Sequence, residues 1–329
     1  MRSRTLLTTV ALLGVAALTL TACSGESAGN ETSGEASGTE RHSVTVGIIP
    51  VAEFNTVYIA QDQGFFDEVG LDVQIEVQSN AASIVPSVMN GQLTFGTAAT
   101  PPFLVAAEQG LPVRAIANAA NTADSAEADT GAIVVAADSA ITTLEDLEGK
   151  IVATNALSSL PHVAAAAQLA EAGVDIDAVQ FVAMPFPDMQ GALEQGRVDA
   201  LLSVEPFMTA ALSAGGVSLS PMYAGVYESG TTHTLFFTSQ AFLEESPEVV
   251  EKFQEAIAKA NAFVAADDTE LRQALITYGK MSEEVASTVK LPVYNTEFNV
   301  PGIEYMASLM VDTGFISSVP DVSTFFIQK

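Results

Sequence analysis

From residue 43 onward two rhythms alternate along the chain. Short apolar runs rich in Val, Ile and Ala are separated by longer stretches in which apolar residues recur every three or four positions. The first rhythm reads as strands buried on both faces, the second as helices. Strands are predicted over 43–49, 71–77, 93–97 and 113–117, with helices over 57–66, 81–89 and 101–110 between them. A second series places strands over 132–136, 150–153, 179–183 and 200–204, and helices over 143–147, 161–172, 188–195 and 206–214. Gly70, Gly91, Gly110 and Gly173 stand where segments stop. This alternation specifies α/β lobes with mostly parallel sheets flanked by helices.

After Thr234 the pattern changes. One strand over 235–238 is followed by helices over 248–266, 269–278, 282–287 and 302–313. Ser246 is placed to cap the long helix, with Pro247 at its first position and Glu248 and Glu251 at its positive end. This tail is expected to pack back on the first lobe.

The two series share an internal match. Gly91, Thr100-Pro101, Ala106 and Gly110 recur 105 residues later as Gly196, Glu205-Pro206, Ala211 and Gly215. Ordinary punctuation of strand–helix units accounts for part of this. Two copies half a domain apart still favour two similar lobes, and no period of a solenoid array is present.

The first 42 residues are of another kind. Arg2 and Arg4 precede an apolar run over 6–20, the pattern of a secretory leader. That run is shorter than the ~20 residues of a membrane-spanning helix. It ends in Leu20-Thr21-Ala22-Cys23, which resembles the bacterial lipobox, where the Cys becomes the lipidated first residue. Residues 1–22 are therefore expected to be a lipoprotein signal peptide, and 23–42 the lipidated Cys and a flexible tether. Positions 24–40 carry no large apolar side chain and would span roughly 20–25 Å. The expected location is outside the cytoplasm, attached to the membrane through Cys23.

Composition narrows the chemistry. Of 329 residues 48% are hydrophobic, so the bulk of the chain can fold. With 12 Lys+Arg against 40 Asp+Glu the net charge is −28, which argues against a nucleic-acid partner. One Cys excludes an intrachain disulfide and a Cys-based zinc site, and three His argue against a His-built metal centre. No cofactor is expected. No Gly-x-Ser-x-Gly elbow occurs between a strand and a helix, the one match to that spacing, Gly25 to Gly29, falling in the expected tether, and no phosphate-binding glycine loop occurs.

Several short motifs together carry a family resemblance. They are Gly47 to Pro50, then Val57-Tyr58-Ile59-Ala60, Gly64-Phe65-Phe66 and Gly70-Leu71-Asp72-Val73. Further on come Leu144 to Lys150, Ala192 to Ala200, Glu205-Pro206-Phe207, and Phe242 to Val250. In this order, behind a lipobox, they resemble the bacterial substrate-binding lipoproteins of ABC importers of the nitrate/sulfonate/taurine type. Relatives of that family bind thiamine-pyrimidine precursors and aromatic carboxylates. The resemblance spans 44–266. It implies a two-lobed, periplasmic-binding-protein-like fold of type II, with lobe one at 43–126 plus 232–329 and lobe two at 127–231. It implies a monomer that captures a small organic ligand between the lobes and delivers it to permease subunits. Eukaryotic relatives include pyrimidine synthases with a cysteine-rich motif, which this chain lacks. The rival readings are an exported enzyme or sensor-linked module on the same scaffold, or a binder of a cationic or pyrimidine-type ligand.

Open α/β sheets bind ligands beyond the carboxyl ends of their strands. That selects the loops 50–56, 97–100, 155–162 and 203–205. Two helix starts should face the cleft, Asn55-Thr56 beside Phe54, and Ser158-Ser159; each is a ligand donor or an ordinary cap. Ala98 and Thr100 belong to the second loop. His162 is either a ligand donor or a half-buried side chain, and His233 lies beside the second crossing. Glu205 either accepts from the ligand or locks the hinge by hydrogen bonds. Arg114, Lys150 and Arg197 lie at strand starts, away from the cleft, so an anion would be held by neutral donors. Phe54, Phe103, Phe186, Phe207, Met222, Tyr223 and Tyr227 lie near these loops, about one in three of them expected to line the pocket. This favours a partly apolar organic anion.

Overall fold

The computed structural model describes residues 41–78 and 81–327. The expected leader, Cys23 and the tether up to residue 40 lie outside the described residues. Ten strands follow in chain order: β1 His42–Ile48, β2 Leu71–Val77, β3 Phe95–Ala99, β4 Val113–Asn121, β5 Gly131–Val135, β6 Ile151–Thr154, β7 Gln180–Ala183, β8 Ala200–Val204, β9 Val217–Pro221 and β10 Thr232–Ser239.

They form two five-stranded sheets, ordered β2-β1-β3-β10-β4 and β7-β6-β8-β5-β9. In each, one strand runs against both neighbours: β10 pairs antiparallel with β3 and β4, and β5 with β8 and β9. β1 pairs in parallel with β2 and β3, and β6 with β7 and β8. The sheets are thus mostly parallel and share one topology. In that topology β3 and β8 are equivalents, and they are the two strands that the 105-residue repeat superposes. The chain passes between sheets twice, after β4 and after β9.

The first lobe is built round aromatic packing. Phe95 stacks on Phe253 at 4.1 Å, and Phe236 meets Phe253 edge-on at 5.5 Å. This docks the helix Pro247–Ala266 on the sheet, as expected of the tail. Gly96 in β3 is fixed by the same packing: a Cβ there would stand 2.5 Å from Ile84 Cγ2 and 2.8 Å from the Phe237 ring. The tail also touches lobe two, since the Lys290 amide donates to Glu205 Oε1 at 3.0 Å.

Several elements depart from the pattern reading. The helix expected over 57–66 is two, Thr56–Asp62 and Phe65–Glu68, because Gly64 at φ 75° takes the left-handed conformation and stops the first. The turn Ala52–Phe54 runs straight into Thr56, so Asn55 is helical and makes no side-chain cap. Ser246 does stand at the N-cap of Pro247–Ala266, but its side chain makes no capping hydrogen bond; its amide closes the preceding helix Gln240–Glu245, which the pattern did not predict. The stretch 143–147 is only a 3-10 turn, Glu145–Leu147. β4 continues four residues past 117 through Asn and Ala, residues of low strand preference held by pairing with β10. β9, an edge strand, was not predicted.

Candidate functional site

A cavity of about 140 Å³ lies between the carboxyl edges of the two sheets. Lobe one contributes Ile49 and Val51 just past β1, Glu53 and Phe54 on the turn after it, and 97–99 at the end of β3. Val85 and Pro102 close that side, and Thr234 adds the start of the antiparallel β10. Lobe two contributes 155–157 past β6, 159–161 at the start of the helix Leu160–Glu171, Phe186, Val204 and Tyr223. All four loops selected from the sequence reach this cavity, because the parallel strands they follow end on the same edge.

Of the residues singled out in the sequence, Phe54, Ala98 and Ser159 line the cavity. Ser159 does so as the cap of its helix, its Oγ accepting from the His162 amide and lying 3.1 Å from Thr154 Oγ1. Among the seven aromatic and sulfur side chains near the loops, Phe54, Phe186 and Tyr223 line it.

The other candidates lie off the cavity wall, all of them buried except Ser158, which is half-buried. Asn55 and Thr56, next to Phe54 in the chain, are buried, and Thr56 Oγ1 has no hydrogen-bond partner. Thr100 Oγ1 donates to the Thr232 carbonyl at 2.9 Å, tying its helix to β10. Ser158, at φ 59°, donates its amide to His162 Nδ1 at 3.0 Å. The His162 ring packs on Phe181 at 4.2 Å and on Phe315 at 4.9 Å, and burial pulls its pKa down to about 4. Glu205 is fully buried: Oε2 accepts from the Thr209 amide, and Oε1 from the Thr209 hydroxyl and the Lys290 amide. Its carbonyl takes the Ala52 amide of lobe one at 3.2 Å. Glu205 thus has the locking geometry, not the ligand-facing one. His233, also fully buried, has no hydrogen-bond partner on either ring nitrogen, and its Nε2 is 3.7 Å from Glu53 Oε1.

Besides Ser159 and Tyr223, the polar wall includes residues the sequence reading did not single out, Glu53, Asn155 and Thr234. Glu53 is 3% exposed and its Oε2 has no partner. Asn155 Oδ1 and Thr234 Oγ1 are likewise buried and unpartnered. Tyr223 is held in place by Asp129, whose carboxylate accepts from the amides of Gly131, Tyr223 and Ala224. Burial, reinforced by Glu53 and Asp129, pushes the Tyr223 phenol well above its ordinary range and keeps it a neutral hydroxyl. Among the described residues that line the cavity there is no Lys, Arg or His. Glu53 and Asn155 lie in loops that the strand-end rule had flagged; nothing in their local spacing marked them above their neighbours.

Comparison with known proteins sets this geometry in context. A stretch of the chain is 28% identical over 213 residues to the taurine-binding periplasmic protein of Escherichia coli, 64% of this chain and 64% of that protein. The match thus covers just under two thirds of that relative. The fold is similar to that of the alkanesulfonate-binding protein SsuA from Xanthomonas axonopodis bound to MOPS, with TM-score 0.74 at 16% identity over 88% of this chain and 99% of that one. It is also similar to the nitrate-binding protein NrtA from Synechocystis, with TM-score 0.74 at 13% identity over 87% and 86%. These matches show a shared fold, two mostly parallel sheets flanked by helices. Residues 51–270, most of the folded chain and all four cavity loops, match the family profile, and the chain belongs to the NMT1/THI5-like family.

Proposed function

We propose that this protein captures a small organic molecule in the interlobe cavity and delivers it to the permease of an ABC importer. The observation that carries the proposal is the cavity itself: both lobes line it, so a molecule seated there is held from two sides. The names of the relatives, which bind taurine, an alkanesulfonate and nitrate, support small polar solutes as the ligand class. We take the lobes to divide near 126/127 and 231/232, where the chain passes between sheets. The protein acts as a monomer outside the cytoplasm, anchored through Cys23. Cys23→Ala should release it from the membrane fraction; unchanged fractionation removes the anchor from the proposal.

An enzymatic reading finds no support in the site. Ser159 Oγ serves as a helix cap, and His162 Nδ1 accepts from a backbone amide, so the two do not form a nucleophile–base pair. The test is a thermal-shift and calorimetric screen of the purified protein over amines, amino acids, sulfonates, carboxylates and pyrimidines. A ligand at 100 times its Kd stabilises by about 2.7 kcal/mol, a readily measured shift. If nothing in the panel binds and native mass spectrometry finds no co-purified small molecule, the capture reading fails.

A further inference from the structure

The polar groups of the cavity are unusual in their sign. Glu53 Oε2 is buried without a partner. Glu53 Oε1 faces His233 Nε2 at 3.7 Å, beyond hydrogen-bond length. Asn155 Oδ1, across from it on lobe two, is a second acceptor without a donor. Thr234 Oγ1 completes a set of oxygens whose hydrogen bonds are unmade. A buried acceptor left unsatisfied costs about 1–3 kcal/mol, and more when it carries charge. Such groups in a native fold mark the place of a missing donor. No Lys, Arg or His among the lining residues supplies one.

A bare oxyanion brings no hydrogen to these oxygens and would meet the Glu53 carboxylate with like charge. An N–H-bearing cation brings the donors and the charge that these oxygens lack. The rest of the wall, including Val51, Phe54, Leu160, Phe186 and Val204, is apolar and suits a short carbon body. We infer that the ligand carries a protonated nitrogen that docks on Glu53, with Asn155 accepting from a second N–H, so that the cavity selects amines over isosteres lacking nitrogen. This rests on the capture reading and gives it a ligand class. It replaces the neutral-donor anion site expected from the cation-poor sequence: the poverty in cations is real, but of the vacant groups on the wall the Glu53 and Asn155 oxygens only accept, and the Thr234 hydroxyl can do either. It also transfers to Glu53 the charge-selecting role that the sequence offered to Glu205, whose oxygens are already engaged. A zwitterion satisfies the inference as long as its ammonium end is the one at Glu53.

The test uses matched pairs on the full-length protein, by calorimetry at pH 7. The pairs are taurine and isethionate, β-alanine and propionate, and benzylamine and benzyl alcohol. The expected result is at least tenfold tighter binding of the amine in each pair that binds. Glu53→Gln should reduce that ratio at least tenfold and leave the circular-dichroism spectrum unchanged. Asn155→Ala, at a half-buried site, is the second variant and should lower amine affinity while sparing the nitrogen-free partner. Equal or tighter binding of the nitrogen-free member, or a ratio unmoved in both variants, overturns the inference and leaves capture standing. If neither member of any pair binds, but the wider screen finds a ligand without an N–H, the inference falls alone. If no ligand of any class is found, both fall.

Discussion

His162 shows how one side chain couples acidity to the cavity wall. Its Nδ1 accepts the Ser158 amide, so the ring is neutral with its proton on Nε2, and two phenyl rings enclose it. Folded, it titrates at about 4; unfolded, near 6.5. As pH falls from 6.5 to 4 the unfolded chain takes up a proton that the folded one refuses, and stability drops by on the order of 2–3 kcal/mol. Below 4 this contribution is spent. Denaturant titrations at several pH values should show a shallower acid-side loss for His162→Phe; parallel profiles would refute the assignment. Glu205 has the opposite sign. Burial pushes its carboxyl up against the pull of its hydrogen bonds, so the stability tied to its protonation is present at low pH and is lost as pH rises through the raised value. Its bonds matter more than its charge. Glu205→Ala strands the Thr209 and Lys290 amides, and should cost on the order of 3 kcal/mol by urea unfolding. A cost under 1 kcal/mol would show that water replaces the carboxylate. At this scale the sequence was informative about position and poor about role. It placed Phe54, Ala98 and Ser159 at the wall but passed over Glu53, because a single acid in a short turn has no periodicity by which to stand out.

Among the elements, the helix Leu160–Glu171 shows what a cap at a ligand site does. Ser159 accepts from the His162 amide, Pro161 occupies the first turn, and Leu160 and Pro161 face the cavity. The sequence alone suggests that Ser159→Ala would weaken ligand binding with little effect on stability. The geometry reverses the emphasis, since the hydroxyl is already used by the helix end and by Thr154. Ser159→Ala should cost about 1 kcal/mol of stability in the ligand-free protein, a typical loss for a removed cap. Differential scanning calorimetry checks it, and an unchanged Tm would return Ser159 to the ligand. The same element explains what pattern reading can and cannot see. Pro161 at the start and Gly173 at the stop were enough to place this helix, because local chemistry fixes its ends. Thr56–Asp62 and Phe65–Glu68 read as one helix, because a φ of 75° at Gly64 is a backbone choice that apolar spacing does not encode. β9 escaped because its exposed edge lacks the apolar run that marks an inner strand, and β4 was cut short because Asn118 and Asn121 are engaged in bonds to residues far along the chain that no local rule anticipates.

For the molecule as a whole, the two sheets share one strand order, and the repeat at 105 residues is its trace in the sequence. Where the chain passes between sheets, Thr122 zips the two passages together. Its amide donates to the Thr231 carbonyl at 2.9 Å, its hydroxyl donates to the Glu228 carbonyl at 2.7 Å, and that hydroxyl accepts the Thr231 amide at 3.0 Å. Two passages held this way form a narrow tether about which lobes can rotate as bodies. Elsewhere the lobes also touch, through Glu205 with Ala52 and Lys290, His162 with Phe315, and Tyr223 with His233. A cavity of about 140 Å³ lined from both sides gives a bound molecule contacts with both lobes, and a ligand that touches both favours the closed arrangement by the contacts an open one lacks. Entry requires the reverse, a separation of the walls. The ligand-free protein should therefore sample wider arrangements, and saturation should shift it toward a compact body, for which chain-length scaling gives a radius of gyration of ~19 Å over the folded residues. Small-angle scattering with and without a ligand whose saturation is shown by calorimetry measures this directly. A radius that does not fall at saturation would mean that the walls do not part, and that the ligand enters a preformed site without lobe motion.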